Sequence, residues 1–142
     1  MKARVPPPEM ARLNPDRFTE PFWQAATEHR LVCARCVGCG TFRMPPAPRC
    51  HVCQSADTEY VDLPGTGQLY SYTVIHKAVI PTLADRVPYV VAVVQLDGAP
   101  GARLVTNLVD VDTDEVSIGM PVQVAWDDVA AGVTLPRFRA SR

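Results

Sequence analysis

The chain of 142 residues has no apolar run of about 18 residues, the length needed to cross a bilayer as a helix. Its opening "MKARVPPPEM" has no apolar stretch of the kind a secretory signal carries, so a cytoplasmic location is expected. It has no excess of positive charge. Residues 1–62 hold 8 Lys and Arg against 7 Asp and Glu, residues 63–142 hold 6 against 8, and the net charge is −1. Neither half carries the basic footprint that contact with a phosphate backbone requires, which argues against nucleic acid as the main partner. No Gly-rich phosphate loop and no nucleophile elbow occurs, and the three histidines are scattered at 29, 51 and 76. The glycines (8) are outnumbered by prolines (14), a balance that favours short strands and turns over long helices.

What is present is an ordinary globular composition, 47% hydrophobic and 20% charged, and enough chain to bury one core. All five cysteines fall between positions 33 and 53. Without a secretory leader, that clustering points to metal binding in a reducing compartment, and disulfides are not expected.

Residues 1–15 are proline-rich and aperiodic and are expected to form a loose arm. Within "NPDRFTEPFWQAATEHRL", Phe22, Ala25, Ala26 and His29 recur at helical spacing. Thr19 stands where an N-cap belongs and Pro21 in the first turn, so one helix of about 10 residues is expected. Too short to be stable alone, it must dock on something. From "PGTG" (64–67) onward the pattern is that of strands: 68–76, 88–96, 102–111, 120–126 and a short fifth at 134–138. In the first of these, alternation puts Leu69, Ser71, Thr73 and Ile75 on one face and Tyr70, Tyr72, Val74 and His76 on the other. The second is apolar on both faces, as in a strand covered on both sides. Four or five short strands without intervening helices predict a small antiparallel barrel or sandwich. The loop at 77–88 exceeds what a hairpin needs, which marks it as a functional candidate.

Cys36-x2-Cys39-Gly40 and Cys50-x2-Cys53, ten residues apart, have the spacing of two facing knuckles that present four thiolates to one metal. Zinc is the expected ion; an S4 site also suits iron. With four thiolates no coordination position stays open, so the site is expected to hold the fold together and not to do chemistry. Cys33 is the fifth. It can exchange with Cys36 or Cys39 in principle, but lacks a following glycine, and reads as a small, buried or half-buried residue. His29, at i−4, is a weak candidate for an activating base, and His51 reads as a solvated bystander. Asp110, Asp112, Asp114, Glu115, Asp127 and Asp128 read as solvated turns.

The order of "FWQAATEHRL", "CVGCG", "RMPPAPRCHVC", "GTGQLYSYTVIH", "PYVVAVVQLDG", "RLVTNLVDVDTDEVSIGMPVQV" and "LPRF" resembles a known family over about residues 18–139. It is the zinc-ribbon/OB-fold family of acyl-CoA-associated proteins, once catalogued as domain of unknown function 35. The resemblance implies a mainly β chain in three parts. These are an N-terminal arm and short helix (1–31), a rubredoxin-like zinc ribbon (32–63) and an antiparallel OB-type barrel (64–142). It implies metal on Cys36, Cys39, Cys50 and Cys53, with Cys33 outside the motif. Members of such families are non-catalytic partners of thiolase-superfamily proteins, among them lipid-transfer-type aldolases that shorten steroid side chains. The partner supplies the nucleophile and the accessory chain helps to accommodate the acyl-CoA, in a two-plus-two heterotetramer. Some members are fused to hydratase domains, for which this chain has no room.

Residue type alone nominates contacts for acyl-CoA or the partner: Phe22 and Trp23 on the helix, Lys77 in the long loop, and Arg137 with Phe138 in "RFR" near the C-terminus. The plainer readings are core packing for the aromatics, a solvated lysine, and a free basic tail. Two further functions stand beside the accessory one. A nucleic-acid module would use the shared face of Tyr70 and Tyr72 for stacking. A stand-alone enzyme would use Cys33 or the metal.

Overall fold

A computed structural model describes residues 1–141. Helix α1 (Glu20–Thr27) is opened by Asp16, whose Oδ1 accepts from the amides of Phe18 and Thr19. Thr19 occupies the N-cap position but its side chain caps nothing; it accepts from the Asp16 amide instead. Pro21 lies in the first turn, where its missing N–H goes unfelt. The helix closes when Arg30 and Glu28 donate to the Ala25 carbonyl and His29 turns left-handed at φ 57°. Its buried face is Phe22, Ala25 and Ala26, and Trp23 meets Phe22 edge-on with centroids 5.0 Å apart.

Three short strands follow, β1 (Val32–Cys36), β2 (Phe42–Arg43) and β3 (Thr58–Asp62), in the order β2-β1-β3 and all antiparallel. Five strands then close a barrel: β4 (Thr66–Ile75), β5 (Tyr89–Leu96), β6 (Arg103–Leu108), β7 (Pro121–Ala130) and β8 (Val133–Ala140), in the order β4-β5-β6-β8-β7. β7 pairs back to β4, and β8 touches β6 in parallel at Leu108 and Phe138. Closure leaves the barrel without a free edge. The fully buried Leu69, Val90, Val94, Leu108, Val122 and Phe138 fill it. Gly67 allows β4 to approach β5: a Cβ there would lie 2.3 Å from the Gln95 carbonyl oxygen. The mainly β architecture expected from the strand pattern is the one observed. Among the described residues no helix is long and apolar enough to cross a membrane.

Four expectations change. A bulge shifts the β4 register between Leu69 and Ser71, so the alternation breaks at Tyr70. Leu69 is buried, Tyr72 and Val74 pack on the core, and Tyr70 stays outside with Arg103 stacked 3.8 Å from its ring centre. The two tyrosines therefore share no face. β5 alternates, with Val90, Ala92, Val94 and Leu96 buried and the residues between them half-buried, because its outer side is only partly covered. The proline-rich arm is tied down: Ala3 donates to the Val111 carbonyl and Arg4 to that of Pro88, both at 2.8 Å. Finally, Asp127 and Asp128 lie in the long strand β7, and both carry partners.

Candidate metal centre and the groove beside it

β1 ends at Cys36, and a tight turn follows in which the Gly40 amide donates to the Cys36 carbonyl at 2.8 Å. The second knuckle repeats this, with the Gln54 amide on the Cys50 carbonyl at 3.0 Å. Gly40 takes φ 76° and Gln54 takes φ 67°, so the left-handed position falls to glycine in one knuckle and to glutamine in the other. The β1–β3 pairing of Cys36 with Thr58, and Arg43 donating from Nε to the Ala47 carbonyl at 3.1 Å, hold the knuckles face to face. Arg43 is buried and its Nη1 has no hydrogen-bond partner among the described residues.

The four sulfurs lie within 4.8 Å of one another, with Cys36 to Cys53 at 3.5 Å and Cys39 to Cys50 at 3.6 Å. A tetrahedral zinc with Zn–S bonds of about 2.3 Å separates its sulfurs by about 3.8 Å, so the thiol group fits the ion with little movement. Backbone amides prepare the site. The Cys39 amide lowers the Cys36 thiol, and the amides of Cys53 and Val52 lower that of Cys50. The Thr41 hydroxyl, 3.1 Å from Cys39 Sγ, lowers the Cys39 thiol. At Cys53 the Ser55 amide works in the same direction, but the neighbouring Cys36 and Cys39 sulfurs prevail and push it up to about 11. A metal binds thiolates, so loading a divalent ion displaces the protons the cluster still holds and strengthens as pH rises. All four ligand positions would then be protein sulfur, the arrangement of a structural site.

Cys33 lies apart. It is 0% exposed, its Sγ is 3.6 Å from the Arg43 carbonyl oxygen, and burial pushes its thiol up to about 11. His29 does not serve it as a base: its ring stacks on Trp126 and its Nε2 meets Asp128 at 3.0 Å. Burial both shields the sulfur and disfavours its thiolate, so alkylation of the metal-loaded protein should leave Cys33 unlabelled while the fold is intact. Peptide mass mapping before and after denaturation checks this; labelling in the native state contradicts it.

The five nominated contact residues part company. Phe22, Trp23 and Arg137 converge on a groove of about 320 Å³ between α1, the Met44–Pro46 link, β6 and β8. Lys77 is exposed on the loop between β4 and β5 and does not line it. Phe138 is fully buried in the barrel, so a surface contact is ruled out for it; adjacent strand residues point to opposite sides, and its neighbour took the groove. Residues 137–139 are also not a free tail, since they lie within β8. Arg137 is 6% exposed, donates from Nε to Asp127 Oδ2 at 3.1 Å, and meets the Asn107 side-chain oxygen through Nη1. The sequence carries no local signal for this triad, whose members come from β6, β7 and β8.

Comparison with known proteins gives two consecutive family matches. Residues 23–59 match "ChsH2, rubredoxin-like zinc ribbon domain" and residues 60–127 match "ChsH2, C-terminal OB-fold domain". The chain is 46% identical over 139 residues to a "Probable enoyl-CoA hydratase alpha subunit" of Thermomonospora curvata, covering 97% of this chain and 40% of that protein. It is 34% identical over 122 residues to the "3-oxo-4,17-pregnadiene-20-carboxyl-CoA hydratase alpha subunit" of Mycobacterium tuberculosis, covering 86% and 38%. It thus spans about two fifths of the length of these two relatives. A "DUF35 domain-containing scaffold protein" of Methanocaldococcus jannaschii is 32% identical, with 78% of each chain covered. Among solved structures, a chain of the "Ltp2-ChsH2(DUF35) aldolase" superposes with a TM-score of 0.80 at 44% identity, covering 91% of this chain and 98% of that one. A DUF35 protein of Sulfolobus solfataricus shares the fold alone, with a TM-score of 0.59 at 17% identity over 86% and 84% of the two chains.

Proposed function

The chain belongs to the ChsH2 (DUF35) family of zinc-ribbon/OB-fold proteins, and from that membership we propose that it is the non-catalytic accessory subunit of a thiolase-superfamily enzyme. The partner is a lipid-transfer-type aldolase or an acyl-CoA thiolase, and the substrate an acyl-CoA, in steroid side-chain degradation. The carrying observation is the 44% identity across 98% of a chain named for an aldolase complex. The chemistry of the chain is consistent with this: its four clustered thiols would fill a metal's coordination sphere, and its remaining thiol is buried, which disfavours the thiolate. Zinc is the ion assigned to Cys36, Cys39, Cys50 and Cys53. The assembly would be two-plus-two in the cytoplasm, with exposed Lys77 available to a CoA phosphate. The nucleic-acid alternative loses its stacking platform because Tyr70 and Tyr72 face opposite ways.

Co-expression with a lipid-transfer-type aldolase of the same host tests this. A stable equimolar complex of two copies each, seen by light scattering, is the expected result. Separate elution at micromolar concentration contradicts it.

A further inference from the structure

The groove bounded by α1, β6 and β8 has a composition suited to a ligand and not merely to packing. Its surface is apolar, built from Phe22, Trp23, Met44, Leu104, Val105 and Pro136. Val105 stands 67% exposed at its rim on β6. At 320 Å³ it holds on the order of ten water-sized or methylene-sized groups, which places it at the lower end of small-molecule sites. The polar groups sit together: Arg137, 6% exposed, with Asn107 and the buried Thr106 beside it.

The guanidinium has five N–H donors, of which Asp127 and Asn107 engage one each at Nε and Nη1. Asp127 also neutralises its charge. An anion entering here would meet a pair of net charge near zero and would lose its own strong hydration; a neutral oxygen would accept a hydrogen bond at a much smaller desolvation cost. The geometry points to a binding site for a compact hydrocarbon of two fused rings, capped by a neutral carbonyl or hydroxyl oxygen that faces Arg137. Arg137 therefore reads the hydrocarbon end of a ligand, not a CoA phosphate. This deepens the accessory reading and rests on it for the source of the ligand.

The test uses the zinc-loaded chain alone, so its failure leaves complex formation standing, and failure to form a complex leaves the titration standing. Two-dimensional ¹H–¹⁵N spectra are recorded while 2-decalone is added, with decalin and decalin-2-carboxylate as controls. Saturable shifts are expected at the Trp23 indole and the Leu104–Asn107 amides. Decalin and the carboxylate should each bind at least tenfold more weakly than the ketone. Val105→Glu, at an exposed position that spares the fold, should weaken the ketone at least tenfold. Absence of saturable shifts, or binding unchanged by Val105→Glu, overturns the site. Equal affinity for decalin and 2-decalone, or tighter binding of the carboxylate, overturns the role given to Arg137.

Discussion

Cys50→Ser is expected to drop the metal content from one ion per chain to near none and to melt the ribbon while the barrel persists. Cys50 is 1% exposed and one of the two buried corners of the thiol cluster, so a hydroxyl there supplies neither thiolate nor room for water. The strands β1, β2 and β3 span only 5, 2 and 5 residues, too little sheet to stand alone. Structural zinc contributes about 10–16 kcal/mol to folding in isolated finger peptides, far more than such a module can replace. Metal analysis and hydrogen exchange by peptide read both halves of the outcome. Fast exchange across residues 32–62 with slow exchange retained at 89–96 is expected. A variant with native protection in the ribbon would show that sulfur chemistry does not hold it.

The second large effect belongs to Phe138. It is the largest side chain that is wholly buried, it joins the two strands that close the barrel, and its carbonyl accepts from the Val109 amide at 2.8 Å. Truncation to alanine should cost about 3–5 kcal/mol, the usual range for a buried phenylalanine. That is a large share of the about 5–15 kcal/mol available to a domain. Arg139→Ala, one residue on and exposed, should stay within about 0.5 kcal/mol. Denaturant titration of the two variants separates the readings. A Phe138→Ala protein of native stability that no longer joins its partner would restore Phe138 as a contact residue.

The contrast between Arg137 and Phe138 shows what the sequence could and could not disclose. The metal cluster was legible because its information is local: two CxxC knuckles at a ten-residue interval dictate four convergent thiols whatever surrounds them. The strands were legible for the same reason, through alternation and turn residues. The fate of "RFR" was not, because burial of Arg137 depends on Asp127 and Asn107, which only strand pairing brings within reach. Likewise the bulge at Tyr70 arises from how β4 meets β5, and it reverses the facing of every later side chain on that strand. The proline-rich arm looked loose since extended chain bonding to Pro88 and Val111, beside the ends of β5 and β6, leaves no periodic trace. Gln54 in the left-handed region is a further case; only the closure of the second knuckle demands it.

The most direct test of the accessory role is turnover. Acyl-CoA cleavage is measured with the candidate aldolase alone, with the zinc-loaded chain alone, and with both together. Activity in the mixture alone, rising to a plateau at one chain per aldolase subunit, is the predicted result. Equal turnover by the aldolase without this chain, or turnover by this chain by itself, would contradict it.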